Sequence, residues 1–219
     1  MIEYLKSVDT PTLSNAIELL KLRSQSVGFT PLELRCLFPE LGRMCGYAVT
    51  AQVESYTQAD PTGREMFVPL FEAVQKSPKP AVVVLQEIGG HPNYAAHCGE
   101  VMATCFTRFG AVGLVSDCGV RDLPEVRALK FHYFSRGAVC SHAYFRIIRV
   151  NCAITVCGMP VRPGDLLHGD ENGLLQIPSE SLDRLPEMVE KVRAKERALM
   201  DYVRSPDLSL DALRSRMVE

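Results

Sequence analysis

Two apolar runs of strand length constrain this chain most. Ala81-Val82-Val83-Val84-Leu85 and Val112-Gly113-Leu114-Val115-Ser116 are nearly free of polar side chains. A strand with one wet face alternates. A strand that is apolar throughout needs cover on both faces, which is the habit of parallel sheets flanked by helices. Between the runs, Glu100-Val101-Met102-Ala103-Thr104-Cys105-Phe106 reads as a helix that starts after Gly99 and ends at Phe109-Gly110. A short helix over Leu123–Leu129, with Pro124 in its first turn, and a strand over Tyr133–Ser135 follow. Strand, helix, strand, helix, strand implies parallel pairing with right-handed crossovers.

The flanks differ. Asp9 or Thr10 can cap a helix over about 10–23, with Pro11 at its start and Leu13, Ile17 and Leu20 on one face. Gly46–Tyr56 reads as a strand, Asp60-Pro61-Thr62-Gly63 as a turn and Arg64–Lys76 as a helix. Arg146–Cys157 alternates as β structure. Short strands over Leu166–His168 and Leu174–Ile177 are separated by a turn at Gly169–Gly173, so 146–177 looks antiparallel. Ser179–Tyr202 and Leu208–Met217 read as closing helices. The expectation is one mixed α/β domain over residues 1–219, with a core at about 45–178 and C-terminal helices over 179–218.

Bulk composition excludes several functions. With a net charge of −2 there is no basic footprint for nucleic acid, and no apolar stretch approaches a membrane span. The first residues lack a basic segment followed by an apolar one, so no signal peptide is expected. The eight cysteines include no C-x-x-C pair and no zinc-finger spacing, which fits reduced thiols in a cytoplasmic protein. The five histidines are scattered. His91 and His97 lie six apart in a loop and read as solvated or packed side chains before they read as a metal pair.

Chemistry is expected at the carboxyl ends of the parallel strands, where loops 86–99, 116–122 and 136–145 emerge. The helix after Gly99 offers free N–H groups at Val101 and Met102, an anion site, with Glu100 in the first turn. From its position Glu100 could equally do no more than cap the helix. Arg121 can hold a carboxylate or keto oxygen in its planar fork, and Asp122 can give one oxygen to Mg²⁺. The plainer reading of the pair is a surface arginine and a cap for the helix at Leu123-Pro124, and that of Asp117 is hydrogen-bonding to turn amides. Arg162–Asp165 and Gly169–Gly173 lack the ligand series of a calcium loop and read as tight turns.

Gly99-Glu100, Gly113-Leu114-Val115-Ser116-Asp117, Arg121-Asp122, Arg136-Gly137, Pro163-Gly164-Asp165 and Gly169-Asp170 with Gly173 form an ordered series. Over about 45–178 this series resembles the RraA-like family, which includes 4-hydroxy-4-methyl-2-oxoglutarate aldolases and regulators of ribonuclease activity. Some members carry a demethylmenaquinone methyltransferase label, but nothing in this chain looks like a loop for S-adenosylmethionine. The resemblance implies a β/β/α-type domain that forms homotrimers or homohexamers with active sites near subunit interfaces. It implies divalent-metal-dependent cleavage of a 2-oxo acid to pyruvate, with Mg²⁺ or Mn²⁺ and no Schiff-base lysine. Oxaloacetate decarboxylation would pass through the same enolate. Carried over, Asp122 is the metal ligand, and Arg121, Glu100 and Asp117 are catalytic. Gly99, Glu100, Val101, Met102 and Arg121 bind substrate. An acid from a neighbouring copy's C-terminal helix would complete the site, with Glu196 a candidate. The ribonuclease regulators lack the aspartate at position 122, so Arg121-Asp122 favours an enzyme over a non-catalytic regulator. Ala138–Phe145 departs from the family's small-residue Thr-Pro loop, and Asp117-Cys118 from its Asp-Gly step, which leaves the substrate open.

Overall fold

The computed structural model describes residues 1–58 and 64–218, so the turn expected at Asp60–Gly63 lies outside the described residues. Helix α1 (Ile2–Lys6) leads into α2 (Thr10–Leu20). Asp9 caps α2, its carboxylate accepting the Thr12 N–H at 2.9 Å, and Pro11 sits in the first turn where its missing N–H costs nothing. Strands β1 (Arg35–Cys36) and β2 (Met44–Glu54) follow, and then a 3₁₀ turn, Arg64–Phe67, that runs into α3 (Val68–Lys76). The alternating part is β3 (Ala81–Glu87), α4 (Glu100–Arg108), β4 (Ala111–Ser116), β5 (Gly119–Val120), α5 (Leu123–Ala128) and β6 (His132–Ser135). After it come β7 (Gly137–Ala138), β8 (Arg146–Val150), β9 (Ile154–Val156), β10 (Met159–Val161), β11 (Leu166–Asp170) and β12 (Gly173–Ile177). Helices α6 (Leu185–Arg204) and α7 (Leu210–Val218) close the chain.

The main sheet runs β1-β6-β4-β3-β2-β11-β12, with β8 also on β2. β2, β3, β4 and β6 pair in parallel, whereas β1, β8, β11 and β12 add antiparallel neighbours. The apolar runs lie at its centre, as their composition requires. On β3, Val83 and Leu85 face a core beneath α3 and α4 that includes Phe106 and Leu114. Val82 and Val84 face the opposite side, with Val115, Phe134, Val156 and Met159. A third cluster packs α2 and α6 on β12 through Leu13, Ile17, Leu185, Val189 and Leu175.

Three expectations shift in detail. The strand read across 146–157 is two strands, broken where Asn151 takes a left-handed φ of 52° and its N–H donates to Thr50 O. The turn read over Gly169–Gly173 shrinks to Glu171-Asn172, because Gly169 and Asp170 stay in β11 and Asp170 pairs with Gly173. The closing helix starts at Leu185 rather than Ser179, since Pro186 fits only in a first turn and Ser179–Ser181 forms a 3₁₀ turn instead.

Candidate active site

The parallel strands β3, β4 and β6 end at one edge, and the loops after them converge. Backbone pairing ties these loops together. Gly119 pairs with Gly137, Ala96 bridges to Gly119, and the Arg121 N–H donates to Cys98 O at 2.9 Å. The Arg136 Nε donates to Asp117 O at 2.7 Å.

This convergence brings Gly99, Glu100, Val101, Met102, Arg121 and Asp122 together. Gly99 is the N-cap of α4 and has no side chain to cap it. Asp122 serves instead, its Oδ2 accepting the Glu100 N–H at 2.9 Å. The expected cap of α5 is thereby corrected. Asp122 stands at the N-cap position of that helix, but its backbone is left-handed, φ 56°, and its side chain caps α4 across the cleft. Aspartate tolerates that conformation better than most residues. The packing is close: a Cβ on Gly99 would sit 2.4 Å from Asp122 Oδ2 and 3.0 Å from Arg121 Nε. Arg121 Nε lies 3.7 Å from Asp122 Oδ2, and its Nη1 donates to Cys140 O at 3.4 Å. Among the described residues, the Val101 and Met102 N–H groups and Asp122 Oδ1 have no hydrogen-bond partner, and the Glu100 side chain is exposed. The arrangement offers two amide donors, a guanidinium and a half-exposed carboxylate with one oxygen uncommitted. That donor set suits a hard cation and a small carboxylate.

A cleft of about 500 Å³ opens beside these groups. Gly99, Val101, Met102 and Arg121 line part of it, and Phe67 and Phe145 line another part. Glu100 and Asp122 adjoin it through Gly99 and Arg121.

Asp117 is placed differently. Its carboxylate is buried, and Oδ1 accepts the Glu87 N–H at 2.8 Å, so it bonds the neighbouring strand rather than its own turn. Burial pushes its pKa up to about 6. Beside it lies a cluster that the sequence did not disclose. His97 Nε2 is 3.0 Å from Glu87 Oε2, its Nδ1 is 2.9 Å from Ser116 Oγ, and the Cys118 N–H donates to that same oxygen. Burial opposes a charge on His97, but the Cys118 thiol and the Glu87 carboxylate outweigh it and raise the pKa to about 9. Glu87, His97 and Cys118 offer ligand atoms within 4.8 Å of one another. Their hydrogen bonds already engage them, which fits a strut behind the cleft. Read as scattered, His97 gave one signal: it is the lone polar side chain in Ala95-Ala96-His97-Cys98, two residues before Gly99. Glu196, on α6, accepts a hydrogen bond from Asn15 of its own chain at 3.3 Å.

Comparison with known proteins identifies the family. The RraA-like family model (Aldolase/RraA) matches residues 10–175. An uncharacterised protein of Methanocaldococcus jannaschii is 32% identical over 129 residues, covering 57% of this chain and 62% of that protein. A protein of Halalkalibacterium halodurans with the provisional name 4-hydroxy-4-methyl-2-oxoglutarate aldolase is 32% identical over 113 residues, covering 49% of this chain and 54% of that one. The chain thus spans under two thirds of the length of either relative. Among solved structures, Streptomyces coelicolor RraAS2, described as an unusual member of the RNase ES inhibitor RraA protein family, superposes with a TM-score of 0.69. It has 20% identity and covers 93% of this chain and 96% of its own, a likeness of fold. Among the described residues no helix is long and apolar enough to cross a membrane. With a family match over three quarters of its length and the same mixed α/β architecture, this chain belongs to the RraA-like family.

Proposed function

We propose that the chain is a divalent-metal-dependent lyase that cleaves a 2-oxo acid to pyruvate. The supporting observation is the meeting of Asp122, Arg121 and the open N–H groups of α4 at one edge of a cleft. Asp122 would hold the cation, Mg²⁺ or Mn²⁺, through its uncommitted oxygen, with water and substrate oxygens filling the other positions. When bound, the cation supplies Lewis-acid polarisation of the substrate's keto group. The Val101 and Met102 N–H groups receive the substrate carboxylate at the positive end of α4. Arg121 donates to the keto oxygen and stabilises the negative charge that gathers there. Glu100, exposed and beside these donors, takes the proton from the 4-hydroxyl directly or through a water. The C3–C4 bond then breaks, its electron pair passes to C3, and pyruvate enolate forms. Loss of CO₂ from oxaloacetate gives the same enolate. Asp117, turned toward β3, supports the loop on this reading and does not touch substrate.

Pyruvate release from oxaloacetate with Mg²⁺ and with EDTA tests the proposal. Turnover should require the metal, and Asp122→Asn should lose on the order of 10²-fold or more of it, as removal of a charge-stabilising group does. The asparagine keeps a cap for Glu100 and tolerates the left-handed backbone, so the fold should persist by circular dichroism. Metal-independent turnover in that variant would sink the scheme. A regulator on the same scaffold is the rival reading, supported by the likeness to RraAS2. It predicts no pyruvate with any substrate. The family's shared sites further lead us to propose a homotrimer or homohexamer, which gel filtration would show.

A further inference from the structure

We propose that the acid this site takes carries one carboxylate and, at carbon 4, an apolar group about the size of a ring. This rests on the lyase reading above and adds its substrate class. Once a pyruvyl group is held by the α4 amides and Arg121, most of the roughly 500 Å³ cleft remains for the other end of the substrate. That remainder is walled by aromatic rings. Phe67 and Phe145 lie nearly parallel, 6° apart with centroids at 5.7 Å. Phe71 backs Phe67 at 6.2 Å and is itself anchored on Phe106 and Phe109, each at 5.6 Å. Phe106 is fully in the core, so the slab is fixed to the scaffold. Met66 and Met102 complete the lining with side chains that adapt to shape. The rings of Phe67, Phe71 and Phe145 are only half-buried, and an apolar arm laid on them would remove their faces from water.

The charge of the described lining favours the apolar arm over a second carboxylate. A substrate with a second carboxylate needs a second cation. Among the described residues that line the cleft, Arg121 is the only permanent one. The charge on His97 is taken by Glu87, and its ring meets Phe145 edge-on at 5.5 Å. His142 is exposed, and its Nδ1 lies 2.8 Å from Ala143 O. A carboxylate pressed on the slab would lose water without gaining a partner among the described lining residues. Two of these lining residues, His142 and Phe145, come from the very loop whose sequence departs from the family's pattern.

The reaction balances with no further reagent. The 4-hydroxyl loses its proton, carbon 4 becomes a carbonyl, the C3–C4 pair moves to C3, and protonation of C3 gives pyruvate. The apolar group leaves as an aldehyde or ketone.

The test uses the full chain with Mg²⁺ and couples pyruvate to lactate dehydrogenase. Three substrates are compared: oxaloacetate, 4-hydroxy-4-methyl-2-oxoglutarate and 4-hydroxy-2-oxo-4-phenylbutanoate. The phenyl substrate should exceed the glutarate in kcat/KM by about tenfold or more, the scale on which an apolar pocket discriminates. Phe145→Ala should lower that kcat/KM about tenfold, mainly through KM. Turnover of oxaloacetate together with a preference for the glutarate would overturn this inference and leave the lyase standing. No pyruvate from any of the three would overturn the lyase and this inference with it. If Phe67→Asp instead breaks a larger assembly into smaller species, the slab is covered by a second copy of the chain, and the inference is likewise overturned.

Discussion

At the scale of single residues, the site depends on side chains that act away from their own helices. Asp122 caps α4 and not α5, and Gly99 leaves room for it. Gly99 has an extended backbone, so an alanine there would meet no conformational strain. Its methyl would instead press on Asp122 and Arg121. Gly99→Ala should therefore keep its thermal stability within a few degrees while losing on the order of 10²-fold in kcat/KM, the cost of displacing a catalytic group by about 1 Å. Retained activity would show that the pair has slack. The buried His97 makes a different prediction. Its pKa is raised from 6.5 to about 9, so the stability it adds is complete below pH 6.5 and is lost as pH rises through 9. Asp117, raised by burial to about 6, has the same sense at lower pH: its contribution is complete below 3.8 and lost as pH rises through 6. Cys118 opposes the trend. Burial disfavours its thiolate, but His97 outweighs burial and lowers the pKa, so it adds stability as pH rises. Through His97, urea midpoints should fall between pH 6.5 and 9. His97→Gln should flatten that slope, and an unchanged slope would remove His97 from its charged role.

At the scale of elements, the parts that form most clearly from local sequence are those whose apolar pattern and punctuation agree. The α2 helix has its cap, its proline and its buried stripe in register, and it packs on α6 and β12. Leu13, fully buried there, should cost about 2–5 kcal/mol when replaced by alanine. Pyruvate release by the remaining folded protein should be unaffected, because the elements α2 packs on, α6, β11 and β12, supply none of the described residues that line the cleft. A loss of turnover without a loss of stability would mean that the helices reach the site in some other way. The Glu87–His97–Ser116 strut is the opposite case. Its members come from a strand end, a loop and the next strand, so no periodicity links them and only the parallel pairing of β3 with β4 makes them neighbours.

At the scale of the whole molecule, the proposed metal binding would be linked to folding. A cation that binds only the folded chain stabilises it by about 2.7 kcal/mol at one hundred times its dissociation constant. Added Mg²⁺ should raise Tm in the wild type and leave Asp122→Asn unmoved, a readout independent of turnover. Equal shifts in both would place the cation elsewhere, with the Glu87–His97–Cys118 group the first place to look.

The sequence alone determined the central parallel strands, because an apolar run with no wet face has few other uses. It determined the start of α4 at Gly99, and the ordered series from Gly99 to Gly173 placed the chain in its family. It could not say which way a side chain turns once loops meet. Asp122 had the spacing of an ordinary cap, and Asp117 that of a turn acid. Only the tertiary structure sent the first across to Glu100 and the second to Glu87, because those hydrogen bonds join residues 22 and 30 positions apart. The aromatic slab was hidden for the same reason. Phe67, Phe71 and Phe145 come from a helical turn, a helix and a distant loop, and their common surface exists only after the sheet has brought those segments side by side.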